Sequence, residues 1–200
     1  MKSYPLINGR KIRLAILGCG RISKNHFDSI EKHKKDVELV SICDDDQSVL
    51  AIHEKKYNIK GYLDLASMIE NVDLDLVIIC TPSGLHAEQT EICSKKGINI
   101  MTEKPMATRW NDGIRMVKAC DQAGVRLFVV KQNRNNPTIK LLQRAIKENR
   151  FGKIHMVHLN VFWSRPQSYY DQATWRGTWE FDGGALMNQA SHYIDLMDWL

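Results

Sequence analysis

Residues 11–23, KIRLAILGCGRIS, decide the fold. The apolar run 11–17 reads as a strand and turns at once into Gly18-Cys19-Gly20-Arg21-Ile22-Ser23, after which RISKNHFDSIEKHK (21–34) reads as an amphipathic helix. Glycines without a Cβ let a chain turn tightly and let a ligand approach the main chain, and the N–H groups and positive end of the helix that follows suit a diphosphate. Ser23 stands where a third glycine or alanine is usual and is small enough to keep helix and strand close. Asp44 follows Ser23 by 21 residues, at the end of a second strand ELVSIC (38–43). That is the spacing of an acid that binds ribose hydroxyls. A carboxylate there repels a 2′-phosphate, and no lysine or arginine follows closely to neutralise one, so NAD is expected rather than NADP. Asp45 or Asp46 is expected to cap the next helix.

Outward from this segment, apolar runs alternate with amphipathic ones: a helix near 48–56, a strand LDLVIIC (74–80), a helix near 87–96, a strand INIMTE (98–103), a helix near 110–123 and a strand VRLFVV (125–130). Gly97 and Gly124 follow their helices as C-caps do. Such alternation predicts an α/β, Rossmann-type doubly wound parallel sheet. Ligands of these sheets sit at the carboxyl ends of the strands. There the chain places Thr81-Pro82-Ser83-Gly84-Leu85-His86 after one strand and Glu103-Lys104-Pro105 after the next. After a helix over 136–150 the pattern changes. KIHMVHLNVFW (153–163) reads as a longer alternating strand, an aromatic loop follows, and GALMNQASHYIDLMDWL (184–200) reads as one helix. The expected division is a dinucleotide-binding domain over 1–151 and the start of an α+β domain with an open sheet over 152–200, incomplete because the chain stops inside a helix. Unpaired sheet edges would then favour association or poor solubility.

Composition narrows the class. Lys plus Arg (28) against Asp plus Glu (23) gives a net charge of +5 with no like-charge run, so a nucleic-acid partner is not expected. Apolar residues at 44% and charged residues at 26% are ordinary for a globular protein. No run is apolar enough for a bilayer and residues 1–10 are unlike a signal peptide, so the expected location is the cytoplasm. Five cysteines, Cys19, Cys43, Cys80, Cys93 and Cys120, form no CxxC pair and favour neither disulfides nor zinc. His155 and His158, three apart in an expected strand, point to opposite faces, so no metal is expected. His26, His33 and His53 are expected on solvated helix faces. Nine of sixteen aromatic residues fall in the last forty positions. They suit either a sheet face with an oligomer contact or the wall of a sugar or nucleotide site.

GCGRIS with a downstream His26, Asp44 after a strand, TPSGLH, EKP and FDGGALMNQASH resemble the Gfo/Idh/MocA oxidoreductases over essentially the whole chain. The resemblance implies a Rossmann domain followed by an open-sheet domain, and oxidation or reduction of sugar hydroxyls with NAD(P). It implies that Lys104 reaches substrate and nicotinamide and that His192 is the acid/base. Asn188 stands where many members have aspartate. KQNRNN (131–136), NVFWSRPQSYYDQATWRGTWEFDGG (160–184) and MNQASHYIDLMDWL (187–200) are similar to a narrower group of NAD-dependent dehydrogenases. Those oxidise C3 of UDP-N-acetyl-2-amino-2-deoxyglucuronate for O-antigen and other surface polysaccharides of bacteria. That similarity places Gln132, Trp175 and Arg176 at the cofactor and Arg165 and Tyr169 near a UDP-linked sugar uronate. It also implies a homo-oligomer, dimer or tetramer.

The full expected cofactor set is Gly18, Gly20, Arg21, Ile22, Asp44, Thr81, Pro82, Ser83, His86, Glu103, Lys104, Gln132, Trp175 and Arg176. The substrate set is Lys104, Arg165, Tyr169, Asn188 and His192, with Lys104 and His192 catalytic. Removing hydride from a carbinol carbon needs a base for the hydroxyl proton and a cation for the developing alkoxide. His192 suits the first role and Lys104 the second, or the reverse if burial lowers the lysine pKa. Asn188 and His192, four apart, would share one helix face. Another sugar or inositol dehydrogenase of the same family, and a dinucleotide-binding module without turnover, are the alternatives.

Overall fold

The computed structural model describes Tyr4 and residues 6–200, in two compact units, one up to Val129 and one from Val130 to Leu200. The first holds six parallel strands, β1 (Ile12–Leu17), β2 (Val37–Cys43), β3 (Lys60–Tyr62), β4 (Leu76–Ile79), β5 (Asn99–Thr102) and β6 (Leu127–Val129), in the order β3-β2-β1-β4-β5-β6. The chain starts in the middle, builds outward to one edge, then crosses to β4 and builds to the other. This reversal of direction beside β1 opens the sheet for a ligand.

The period-two alternation of strand side chains sorts the core into two layers. Ala15, Leu17, Val77 and Ile79 face one side, against α3 (Leu65–Asn71), α4 (His86–Lys95) and α5 (Trp110–Ala123) through Leu65, Met68, Cys93 and Cys120. Leu14, Ile16 and Ile78 face the other, against α1 (Ser23–Lys32) and α2 (Gln47–Tyr57) through Phe27 and Leu50. Ala15, Ile16, Val77 and Ile79 have no exposed surface, as expected for strands covered on both faces. The helix starts are written locally: Asp46 accepts the Ser48 N–H at 2.8 Å, Asp64 accepts the Ser67 N–H at 2.8 Å, and Gly124 ends α5 at φ +68°. Each such cap contributes about 1 kcal/mol.

Register then aligns the strand ends. Leu17 pairs with Cys43 and with Ile79, and Ile79 pairs with Thr102. The chains leaving β1, β4 and β5 therefore emerge at one level, so three loops far apart in sequence start side by side.

The second unit contains a 3-10 turn (Gln132–Asn135), α6 (Pro137–Lys147), α7 (Gln167–Tyr170), α8 (Gly184–Asn188) and α9 (Ser191–Trp199). The helix over 136–150, expected to close the first domain, belongs here as α6. Two expectations are corrected. Residues 153–163 form no strand, because a strand needs a ladder partner and this unit has none among its described residues. The single helix over 184–200 is two helices. The Gln189 and Ala190 N–H groups both turn back to the Ala185 carbonyl at 2.9 Å, which closes α8 before α9 begins. Asp195 of α9 accepts two bonds from Arg134, at 2.8 and 2.6 Å, and lies 3.6 Å from the Lys131 ammonium. Gln143 of α6 donates to the Trp199 carbonyl at 3.2 Å. These contacts tie α9 to the start of its unit.

Candidate functional site

Gly18 is the first residue past β1. Its φ is +87°, and a Cβ there would stand 2.9 Å from the Cys80 carbonyl carbon and 2.9 Å from the Thr81 nitrogen. Only glycine lets β1 turn this close to the end of β4. The turn is pinned on the other side by the Gly18 N–H donating to the Cys43 carbonyl at 2.8 Å. Gly20 is exposed, and a Cβ built on it meets nothing within 4 Å. Its bare face is open space above the loop. Arg21 is exposed beside it, Ile22 opens α1 without a side-chain cap, and the Ser23 hydroxyl, 1% exposed, donates to the Gly20 carbonyl at 2.6 Å. A main-chain cradle with room over it, at an uncapped helix start, fits a diphosphate.

Asp44 leaves β2 and turns onto this loop. Its Oδ2 accepts the Cys19 N–H at 2.6 Å and its Oδ1 accepts the Asp46 N–H at 3.0 Å. The carboxylate is thus held in place next to the cradle with acceptor capacity left for ribose hydroxyls. Burial pushes the Cys19 thiol up to about 12, with the negative charge of Asp44 adding to it, so this loop cysteine is no nucleophile at neutral pH.

The Thr81-to-His86 loop is rigid. Pro82 precedes a 3-10 turn (Ser83–Leu85), and the Thr81 hydroxyl donates to Gln89 at 2.6 Å. His86 is completely buried, with Nδ1 3.0 Å from the Pro105 carbonyl and Nε2 3.0 Å from the Thr81 carbonyl. It bridges the loops after β4 and β5. Burial pulls its pKa below the usual histidine value despite these acceptors. A neutral imidazole donates to one carbonyl at a time.

Glu103 is 7% exposed; its Oε1 lies 2.9 Å from His26 Nε2 and its Oε2 accepts the Lys104 N–H at 3.2 Å. Lys104 is half-buried and precedes a cis peptide to Pro105. Here the histidine expectations are corrected. His26 is not solvated: its partner comes from a strand end 77 residues away, which nothing local announces. His53 stacks on Phe27 at a centroid distance of 4.8 Å, while His33 is exposed as expected.

In the second unit, Arg165, Tyr169, Trp175 and Arg176 come together. The Arg176 guanidinium lies 4.5 Å from the Tyr169 ring centre and 5.7 Å from that of Trp175, and Arg165 lies 5.4 Å from Tyr169. Arg176 donates to the Tyr169 carbonyl at 2.8 Å and Arg165 to Gln189 at 3.1 Å. Two cations held on one aromatic side chain suit an anionic ligand. Gln132 is exposed in the 3-10 turn that opens this unit. Asn188 and His192 are both buried, but the break at residues 189–190 puts them on α8 and α9, so the expectation of one shared helix face does not hold. Sequence reasoning missed Asp182. It is 4% exposed, accepts the Asn188 amide and accepts the Gly177 N–H at 3.0 Å, and so fixes Asn188. A carboxylate directly before a glycine pair, Gly183 and Gly184, was the available signal.

Residues 12–131 match the family model described as an oxidoreductase family with an NAD-binding Rossmann fold, and residues 139–200 match the GFO/IDH/MocA C-terminal domain. The chain belongs to the Gfo/Idh/MocA family. Residues 12–131 are its NAD-binding Rossmann domain. Among solved structures, the chain is similar to the WlbA dehydrogenase of Chromobacterium violaceum in complex with NADH and UDP-GlcNAcA, at 57% identity and TM-score 0.97 over 100% of this chain and 58% of that one. The WlbA dehydrogenase of Bordetella pertussis, also with NADH and UDP-GlcNAcA, is 55% identical with TM-score 0.95 over 98% of this chain and 56% of that one. A curated relative, the D-apiose dehydrogenase of Paraburkholderia graminis, is 31% identical over 78% of this chain and 40% of its own length. The chain thus spans roughly half the length of these Gfo/Idh/MocA relatives.

Proposed function

We propose that this protein is an NAD-dependent dehydrogenase that oxidises the C3 hydroxyl of UDP-N-acetyl-2-amino-2-deoxyglucuronate to the 3-keto sugar. One observation carries the reading: 57% identity across the full chain with a dehydrogenase whose crystal structure holds NADH and UDP-GlcNAcA. The arginine-flanked Tyr169 supports it, because a UDP-linked uronate brings a diphosphate and a carboxylate, both matched by guanidinium forks.

Bound NAD supplies the hydride acceptor. The glycine loop and α1 hold its diphosphate, and Asp44 orients its adenosine ribose and disfavours a 2′-phosphate. The Lys104 ammonium stabilises the oxygen of the reacting hydroxyl as its proton leaves. The His192 imidazole takes that proton, or the two groups exchange these roles. Asn188, fixed by Asp182, orients the sugar. Arg165 and Tyr169 contact the anionic part of the substrate, and Gln132, Trp175 and Arg176 complete the cofactor end. The place of action is the cytoplasm, the assembly a homo-oligomer and the pathway the making of bacterial surface polysaccharide sugars.

The test is NADH formation, followed by absorbance, when the purified full-length protein meets NAD and the UDP-uronate. Reduction with that substrate and not with free inositol supports the reading. Similarity at 28% identity to a myo-inositol 2-dehydrogenase of Thermotoga maritima favours the alternative, in which the free polyol is oxidised instead.

A further inference from the structure

Among the described residues of the first unit, Glu103 is the one buried carboxylate. Burying a carboxylate is unfavourable unless both oxygens find donors. Those donors are the His26 ring at 2.9 Å and the Lys104 N–H at 3.2 Å. His26 sits in the first turns of α1, whose opening residue Ser23 is bonded to Gly20. Helix α1 therefore joins two contacts: Ser23 to the glycine cradle at its start, and His26 to Glu103, which in turn meets the main chain of Lys104.

The two elements have anchors besides this contact. Phe27, 2% exposed and stacked at 4.5 Å on Tyr57, anchors α1, and the Glu103 N–H donating to the Ile79 carbonyl at 3.0 Å anchors the end of β5. What the His26 to Glu103 contact adds is the orientation of one turn relative to one helix. On the far side of that turn His86 meets the Pro105 carbonyl, so Lys104 lies between two main-chain groups that are each held.

We propose that His26 is a positioning residue which, through the Glu103 carboxylate, couples the seating of the dinucleotide on α1 to the presentation of the Lys104 amine. The proposal rests on the reading of Lys104 as a group at the reacting hydroxyl. His26 touches neither ligand in this scheme. Its Nε2–H donates to Glu103, which holds the Lys104 main chain, and a rigid turn limits where the amine can go.

The experiment uses full-length wild-type protein, His26→Leu, which removes the donor, and His26→Gln, whose amide puts a donor near the place of Nε2. Acylation of Lys104 by a water-soluble reagent is read by peptide mass spectrometry with and without NADH, beside NADH affinity by fluorescence and kcat and KM for the UDP-uronate. The expected result is that NADH protects Lys104 in wild type and that His26→Leu loses most of that protection at near-normal NADH affinity. Its kcat should fall up to about 10²-fold, the scale for misplacing a reacting group, with KM little changed. His26→Gln should recover most of both. Unchanged protection in His26→Leu, or equal damage in both variants, overturns the coupling. A Lys104→Ala protein with full turnover would instead remove the lysine from the chemistry, and the labelling result would still report on the coupling.

Discussion

The Asp44 carboxylate accepts the main-chain N–H of Cys19 at 2.6 Å, so the end of β2 grips the glycine loop from the side. Asp44, the carboxylate proposed above for the ribose hydroxyls, is therefore also part of the loop's own framework. Asp44→Ala should weaken NAD binding at least about tenfold, the loss of a charged hydrogen-bond pair, and narrow the preference over NADP. Asp44→Asn keeps an acceptor for Cys19 but loses the charge, so it should regain loop order and still discriminate poorly. Fluorescence titrations with NADH and NADPH check both.

The two glycines of the loop should fail in different ways. Gly18→Ala forces a Cβ to within 2.9 Å of the main chain at residues 80 and 81 in a left-handed conformation, and should lower stability by roughly 1–3 kcal/mol or more in thermal unfolding. Gly20→Ala meets no atom within 4 Å and should leave the melting temperature alone. Its methyl group would occupy the cradle, so NADH affinity should drop. A Gly20→Ala protein that binds NADH normally would mean the diphosphate lies elsewhere.

Lys104→Ala should reduce turnover by about 10²–10³, the usual cost of deleting a group that stabilises a developing oxyanion. NADH affinity should change little if, as proposed, the cradle and Asp44 carry the dinucleotide. Comparing kcat with the NADH dissociation constant separates the two effects.

Low pH should loosen the amino end of the sheet first. Arg10 donates to both Asp75 oxygens, at 2.5 and 2.7 Å, and holds that carboxyl down to about 2, with the Arg13 N–H adding a bond at 2.8 Å. A depressed carboxylate pKa stabilises the fold above the unfolded value near 4 and loses that contribution as pH falls toward 2. With Arg10 open to solvent, screening keeps that contribution small. Asp75→Asn should lower the melting temperature at neutral pH and flatten its dependence between pH 4 and 2.

All five cysteines are buried, and burial pushes Cys19, Cys43 and Cys93 up to about 12 and Cys120 to about 11. The native protein should therefore react slowly with a thiol reagent at neutral pH and yield five thiols in guanidinium. Fast labelling of Cys19 in the native state would mean that the glycine loop opens.

The parallel sheet, both its layers and the glycine cradle were legible because their signals are local: period-two apolar runs, glycines after a strand, an aspartate at a fixed spacing. β3 and α3 escaped because three and seven residues give too little periodicity, although Asp64 three positions before Ser67 was a readable cap. The roles of His26 and Asp182 were hidden for another reason. Each is defined by a partner the chain brings from elsewhere, Glu103 for one and Gly177 with Asn188 for the other. The strand expected over 153–163 shows the reverse error, since alternation reports an intent to pair and not the presence of a neighbour.

The wall against which Gly18 turns is made of main-chain atoms of Cys80 and Thr81. That wall carries no side-chain identity of its own, so substitutions at positions 80 and 81 would leave the Gly18 turn with the same neighbour.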